Sequence, residues 1–169
     1  MTWRAIDTAA QYLGLSEVPG MVDNPAVLAM LQRKNPWAKH DEVPWCAAFV
    51  DHCLWVTGHE TTGSLRARSF IECGKRIWTA GDSDTARLDL PKVGDIAVIT
   101  RGGGKQPGPD VIEAQGHVGF FVAMQRDRVV ILGGNQGNKV SIRKYARSRL
   151  LTVSRPKRIT KRFTYDPMT

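Results

Sequence analysis

The apolar residues of this chain follow two different spacings, and the spacing changes near Pro91. Before Pro91 they recur every three or four positions, which is typical of helices that bury one face. After Pro91, short segments rich in Val, Ile and Phe alternate with turn-forming residues, which is typical of strands. Helices followed by strands indicate an α+β fold, with N-terminal helices packed on a C-terminal antiparallel β-sheet. A length of 169 residues suits one core, so we treat residues 1–169 as a single domain.

The same spacings predict individual elements. Helices are expected over residues 3–13, from Asn24-Pro25, over 44–56 and, more weakly, over 65–73. Asn24 is a suitable helix cap, and Pro25 fits the first helical turn. Strands are expected over residues 95–100, 117–124 and 128–132, with a fourth near 140–143. Glycines and prolines between residues 102 and 109 predict a long loop between the first two strands.

Cys46 is the best candidate for a nucleophile among the three cysteines. A thiol attacks as its thiolate, so a catalytic cysteine needs a lowered pKa. Because Pro44 fits a helix start, Cys46 should lie in the first turn, where free N–H groups and the helix dipole favour negative charge. Cys53 falls on the buried face of the same helix and Cys73 has no obvious partner, so we expect both to be structural. An odd number of cysteines without a CxxC pair argues against a disulfide framework and against a zinc site.

His117 is the best candidate for a general base. It opens a predicted strand in the segment Gly116-His117-Val118-Gly119, where the glycines leave room for a neighbour. The other histidines are less suitable, because they lie in a polar loop, on another side of the Cys46 helix and beyond a helix end: His40, His52 and His59. A strand histidine alone is more often structural, so the assignment depends on the residue that faces it.

Asn135 is the residue that we expect to face His117. If the strands over 117–124 and 128–132 form a hairpin that turns near Arg126, the numbers of facing residues sum to about 252. The Asn135 carboxamide would then hydrogen-bond the imidazole, fix its tautomer and direct its other nitrogen at the thiol. A slip of one residue would turn Asn135 to the opposite face. An asparagine among glycines is also a common turn former.

The segments around these residues resemble the CHAP group of cysteine, histidine-dependent amidohydrolases and peptidases, which belongs with the NlpC-like, papain-fold cell-wall hydrolases. The similar segments span roughly residues 3–151: 13–14, 17–20, 24–25, 42–50, 94–95, 116–119 and 133–138. The cysteine and histidine segments are specific when taken together. The Gly94-Asp95 and Asn24-Pro25 pairs would mean little alone.

The resemblance implies a papain-like fold and cleavage of an amide in the peptide part of peptidoglycan, by an amidase or an endopeptidase. It implies Cys46 as nucleophile, His117 as base and Asn135 as the orienting residue, without a cofactor. We expect Trp45 and Gly116, which adjoin the catalytic pair, to contact substrate, although core packing is an equally good interpretation of Trp45. Backbone N–H groups near Cys46 would stabilise the oxyanion.

Two features depart from the pattern of the CHAP group. Many such domains read Glu-Gly-Asn where this chain has Gly133-Gly134-Asn135, and the glutamate takes the third catalytic role. Because Gly133 cannot do so, either Asn135 does or the triad is a dyad. Some relatives also bind calcium through acidic residues near the cysteine, but the corresponding positions here are mostly not acidic: Trp37, Lys39, Val43 and Ala48. We therefore predict no metal.

Positive charge is concentrated near the C-terminus. The chain has a net charge of +8, and 11 of its 24 Lys and Arg residues lie between Arg128 and Tyr165, where there is no Asp or Glu. Such a segment attracts a polyanion (nucleic acid, anionic lipid or an anionic cell envelope) or is simply a solvated basic face. Given the resemblance, we expect residues 143–162 to hold the protein at an anionic cell envelope, with no nucleic-acid partner.

The sequence has no run of about 18 apolar residues, so we expect no transmembrane segment. Residues 1–7 lack the pattern of a secretory signal, which predicts synthesis in the cytoplasm and action at the cell wall or periplasm after release or delivery. A phage lysin, a tail-associated hydrolase and an injected antibacterial effector all fit. Two other functions stay open: a protein-directed cysteine deamidase or peptidase, and a non-catalytic module that binds a polyanion or the cell wall.

Overall fold

The computed structural model describes residues 4–20, 22–81 and 90–160. Its α-helices are α1 Ala5–Gln11, α2 Pro25–Gln32 and α3 Cys46–Val56. Two 3₁₀ helices cover Ala67–Glu72 and Arg147–Arg149. The strands are β1 Lys75–Thr79, β2 Ile96–Thr100, β3 Gly116–Gln125, β4 Arg128–Gly133, β5 Ser141–Ala146 and β6 Leu150–Arg155.

The six strands form one antiparallel sheet in the order β1-β6-β2-β3-β4-β5. The predicted mixture of helices and an antiparallel sheet is therefore confirmed, whereas the papain-like character of the fold stays a prediction. Strand β6 lies between β1 and β2, so two parts of the basic stretch that begins at residue 143, residues 143–146 in β5 and 150–155 in β6, are built into the sheet.

The helices pack on one face of the sheet. Helix α3 contacts β3 and β4, and α1 contacts both α3 and β4. The core between them is made of apolar side chains from both layers, among them Phe49, Val50, Val118, Phe120 and Leu132. The opposite face carries a second, smaller core around Phe121, Ile131 and Val153. The first residue of α3, Cys46, and the third residue of β3, Val118, belong to the core between the helices and the sheet.

Four strands were expected and all four are present, with bounds that differ by up to three residues. Strands β1 and β6 were not predicted. Strand β6 reads Leu-Leu-Thr-Val-Ser-Arg and is buried on both sides, so its sequence lacks the apolar and polar alternation of a half-exposed strand. The weak helix expected over residues 65–73 is a 3₁₀ helix. No helix among the described residues is long and apolar enough to cross a bilayer.

The Gly94-Asp95 pair braces the start of β2. Gly94 has a φ of +97°, and a Cβ there would lie 3.0 Å from Cγ2 of Ile6. The buried Asp95 carboxylate accepts the Lys92 N–H at 2.8 Å and two N–H groups of Arg155 at 3.1 Å. Charge-assisted hydrogen bonds of this kind tie the beginning of β2 to the end of β6, so the pair has a structural role.

Candidate active site

Cys46 is the first residue of α3, as the sequence predicted. The helix starts where the Phe49 N–H donates to the Trp45 carbonyl oxygen at 2.9 Å. The Cys46 side chain is buried beside β3, and the backbone N–H groups of Val118, Ala47 and Cys46 itself interact with its sulfur. Val118 directly follows His117, so the candidate nucleophile lies next to the backbone of the candidate base.

Burial raises the pKa of the Cys46 thiol above its usual value. The N–H group of Val118, the positive charge of Arg101 and the N–H groups at the helix start act in the opposite direction, but burial is the larger effect. The expectation of a lowered thiol pKa is therefore wrong for the resting protein. The helix start was predicted correctly, whereas the loss of hydration on burial could not be read from residue spacing.

His117 is the second residue of β3 and is buried. Its Nε2 lies 3.1 Å from Oε1 of Gln136, and its ring centroid lies 5.7 Å from that of Tyr145. The structure therefore pairs His117 with Gln136, which was not a candidate from the sequence, rather than with Asn135.

The Gln136 carboxamide has only one orientation that satisfies its neighbours. Its Nε2 donates to the Ser141 carbonyl oxygen and, at 3.3 Å, lies near the Ser141 hydroxyl, while the Tyr145 hydroxyl donates to Oε1 at 2.8 Å. Oxygen Oε1 is thus the atom that faces His117, and it can only accept a hydrogen bond. The neutral imidazole must carry its proton on Nε2, which leaves a lone pair on Nδ1.

Burial lowers the pKa of His117 to about 4. The hydrogen bond to Gln136 acts in the opposite direction, and the positive charges of Arg101, Arg149 and Arg143 lower the pKa further. The imidazole is therefore neutral at neutral pH. Together with the raised thiol pKa, this favours a neutral thiol and imidazole at rest over a thiolate–imidazolium pair.

Asn135 takes a different position from the one expected. The predicted sum of 252 holds for the pair Phe120 and Leu132, but β4 ends at Gly133, before Asn135. Asn135 has a φ of +55°. With its amide oriented to satisfy both groups, Asn135 donates to Oε1 of Glu17 at 3.3 Å and accepts the Trp45 N–H at 3.2 Å. The predicted hydrogen bond from Asn135 to His117 is wrong, because the chain leaves the strand and turns Asn135 toward the helix start.

The two glycines before Asn135 allow this close approach. A Cβ at Gly134 would lie 2.6 Å from the Trp45 ring and 2.7 Å from Cβ of Phe49, so no larger residue fits. A Cβ at Gly133 would lie 3.2 Å from Nε2 of His117 and 3.3 Å from the carboxamide carbon of Gln136. The Gln136 side chain therefore occupies the space into which a side chain at position 133 would project, the position where many CHAP domains carry glutamate.

A cleft of about 370 Å³ opens beside Cys46. Its walls come from the helix start, the chain before the first 3₁₀ helix and the loop before β3: Pro44, Cys46, Leu65, Arg66, Ala67, Arg101, Glu113, Ala114, Gln115 and Gly116. Gly116 lies at the cleft, and its contact with substrate stays a prediction. Trp45 is fully buried, donates from Nε1 to Glu17 at 2.7 Å, and is not among the described residues that line the cleft. We therefore assign Trp45 to the core and not to substrate contact.

Arg68 holds the long loop that forms one wall of the cleft. The side chain is fully buried, and its guanidinium donates to the carbonyl oxygens of Pro107, Gly108, Val111 and Gln115 at 2.7–3.2 Å. Four carbonyl acceptors replace the hydration of the buried charge. No sequence pattern indicates this role, because the four carbonyl groups belong to the backbone.

The described residues contain no group of three or more His, Cys, Asp or Glu side chains that could hold a metal ion. All three cysteines are buried and unpaired, and burial raises the thiol pKa of Cys53, and that of Cys73 to about 11.

The comparisons with known proteins identify the family. The model of the CHAP domain matches residues 38–135, which is more than half of the chain and includes Cys46, His117 and the cleft. The chain matches no curated protein and no solved structure. CHAP domains are generally cysteine- and histidine-dependent amidohydrolases and are associated with peptidoglycan hydrolysis. The extent of the match shows that this chain belongs to the CHAP domain family.

Proposed function

We propose that this protein is a peptidoglycan hydrolase that cleaves an amide in the peptide part of the cell wall, with Cys46 as nucleophile and His117 as general base. The observation that carries the proposal is a cleft-lining cysteine at a helix start that lies against the backbone of β3 at Val118, the residue after a buried, neutral histidine whose tautomer is fixed. Membership of the CHAP family supports the substrate class.

The proposed reaction starts from the neutral pair. His117 is neutral and carries its proton on Nε2, so Nδ1 is the atom available to take the proton from Sγ of Cys46 as the thiol attacks the carbonyl carbon. The hydrogen bond from Nε2 to Gln136 holds the ring in place while the imidazolium exists. His117 then returns the proton to the leaving amine, and water releases the acyl group from Cys46.

Backbone N–H groups support the developing negative charge. The N–H groups of Cys46, Ala47 and Val118 act to lower the pKa of the thiol and so favour its negative form. Because these donors belong to a helix start and a strand, they are already oriented before substrate binds. Preorganised donors of this kind stabilise an oxyanion in acyl transfer, and the loss of one typically costs about 3 kcal/mol.

The basic surface is the part of the proposal that concerns the cell envelope. Arg143 and Lys144 are exposed on β5, whereas Arg155 is bound to Asp95, and Lys157 lies 3.2 Å from Glu60. Attraction to an anionic wall would therefore come from the exposed members of the basic stretch. Such attraction weakens as salt rises, which binding of the Cys46→Ala protein to sacculi at increasing ionic strength would measure.

The direct test is digestion of purified sacculi by the wild type, Cys46→Ala and Cys73→Ala, followed by mass analysis of the released fragments. We expect loss of turbidity with the wild type and no loss with Cys46→Ala. Cys73→Ala is the matched control, because it removes a buried thiol that does not line the cleft, and it should retain activity. The fragment masses identify the bond that is cut.

Two outcomes would contradict the proposal. Equal digestion by Cys46→Ala would exclude the thiol mechanism, and a folded wild type that digests casein but not sacculi would indicate a protein substrate instead. Slow alkylation of the resting protein would not decide, because burial raises the pKa of Cys46 whether or not the site is catalytic.

A further inference from the structure

Three arginines surround the side of the site that holds His117. Arg101 follows β2, Arg143 lies in β5 and Arg149 ends the second 3₁₀ helix. They come from three separate parts of the chain, and the mechanism proposed above gives none of them a contact with substrate. We call them the arginine cluster.

Arg143 projects toward the His117 side of β5. Alternate residues of a strand share a face, so Ser141, Arg143 and Tyr145 lie on one side of β5. The hydroxyl groups of Ser141 and Tyr145 both hydrogen-bond Gln136, which fixes the direction of that face. A Cβ at Gly137 would lie 2.5 Å from Nη2 of Arg143, so the guanidinium passes over the residue after Gln136.

Arg149 and Arg101 both adjoin the end of β2 at Thr100. The Arg149 guanidinium lies 5.2 Å from the centroid of the Tyr145 ring and donates twice to the Thr100 carbonyl oxygen, at 2.6 and 3.2 Å. Arg101 follows Thr100 directly and lines the cleft that contains Cys46. The cluster therefore extends from the cleft to the Tyr145 ring that packs beside His117.

No carboxylate balances these charges among the residues that the structure describes. The ion pairs there join other residues, and although Glu113 lines the same cleft, no ion pair connects it to the cluster. A site on which three positive charges act, with no carboxylate paired to them, would attract an anion. Burial is the main cause of the low pKa of His117, and the charges of these three arginines lower it further, so they act on the same site.

We propose that Arg101, Arg143 and Arg149 form a subsite that binds a carboxylate of the substrate beside His117. The inference rests on the proposed function and names its substrate more closely: a stem peptide with a free carboxylate near the scissile amide, in preference to an amidated one. Guanidinium groups suit this task because they bind carboxylates through two parallel hydrogen bonds.

The test is binding, measured by calorimetry with the Cys46→Ala protein, so that turnover does not interfere. The probes are soluble peptidoglycan stem peptides with all carboxylates free and the same peptides fully amidated. We expect the free form to bind about 10- to 100-fold more tightly, as charge-assisted hydrogen bonds would give. Arg101→Met and Arg143→Met should each remove most of that preference.

Lys144→Met is the matched control. It removes one exposed positive charge from the residue next to Arg143, on the opposite face of β5, and should leave the preference unchanged. If Lys144→Met weakens binding as much as Arg143→Met does, the effect is general attraction and the subsite is overturned.

Digestion of sacculi separates the two proposals. If the wild type digests sacculi but both peptide forms bind equally, the subsite is wrong and the proposed function stands. If digestion fails while the carboxylate preference and its arginine dependence are observed, the proposed function is wrong and the subsite stands.

Discussion

The two halves of the candidate site are held in different ways. Cys46 is held by backbone and packing, since it starts α3, lies in the core and interacts with N–H groups of two elements. His117 is held by side chains, through a hydrogen bond to Gln136 that Tyr145 and Ser141 orient. The nucleophile therefore depends on the formation of the fold, whereas the base depends on a few polar contacts that single substitutions can remove.

One loop connects the two halves. Asn135 bonds the backbone N–H before Cys46, and the next residue, Gln136, bonds the ring of His117. The side chains of these adjacent residues reach different partners, and the backbone turns at Asn135, where φ is positive, after β4 has ended. Substitutions at 135 and 136 should thus have separable effects. A change at 135 should affect the start of α3, and a change at 136 should affect the orientation and pKa of His117.

The largest effect is expected at Gln136. Gln136→Leu removes the acceptor that fixes the His117 tautomer and should lower kcat on the order of 10²-fold, less than the loss caused by removal of a charged orienting residue. It also leaves the Tyr145 hydroxyl and the Ser141 carbonyl without their present partner. Kinetics on soluble peptidoglycan fragments would measure the loss.

Gln136→Glu tests whether residue 136 acts on the His117 imidazole or only stabilises the surrounding structure. A carboxylate beside the imidazole stabilises its charged form, so the pKa of His117 should rise by about 1–3 units and the acidic limb of kcat should move to higher pH. Wild-type kinetics in both variants, or an unchanged pH profile in Gln136→Glu, would show that Gln136 does not orient the base.

The next effect concerns acid stability. Burial lowers the pKa of His117 from its ordinary value of 6.5 to about 4, so the folded protein resists protonation at this residue. The contribution of neutral His117 to the free energy of unfolding is complete above pH 6.5 and is lost as the pH falls toward 4. The loss amounts to roughly 3 kcal/mol. Urea unfolding between pH 7 and 4 should show this decline in the wild type. A His117→Asn variant with the same decline would contradict the assignment.

The smallest effect is expected on the helix side. Asn135→Ala should destabilise the fold by about 1–2 kcal/mol. It removes the acceptor of the Trp45 N–H and leaves a side chain at a positive φ without the hydrogen bonds that offset the backbone strain. Asn135→Gly is the matched control, since it loses the same hydrogen bonds but relieves the backbone. Chemical denaturation measures both. A shift of the kcat pH profile in either variant would mean that Asn135 acts on His117 after all.

Sequence patterns predicted the parts of the molecule that depend on local spacing. The helix start at Cys46, the strand at His117 and the register of β3 against β4 near Phe120 all agree with periodicity and turn residues. The register agrees near Phe120 only because of an irregularity in β3. The numbers of facing residues sum to 253 near the turn and to 252 beyond the irregularity at Val122.

The path of the chain beyond a strand end was not predictable. Asn135 and Gln136 are adjacent amides, and only the backbone conformation decides which of them reaches His117. Likewise, the sequence shows a helix start that lowers a thiol pKa but not the burial that raises it more. Strand β6 was missed because its place between β1 and β2 depends on contacts distant in sequence.

The burial of Cys46 also bears on how the protein survives oxidants. Peroxides and disulfides react with thiolates, and protonated thiols are nearly inert toward them. Burial raises the pKa of Cys46 and Cys53, and that of Cys73 to about 11, so all three sulfurs stay protonated at neutral pH. The burial that keeps the candidate nucleophile protonated at rest therefore also slows its conversion to sulfenic acid, so three unpaired cysteines can persist in the presence of air.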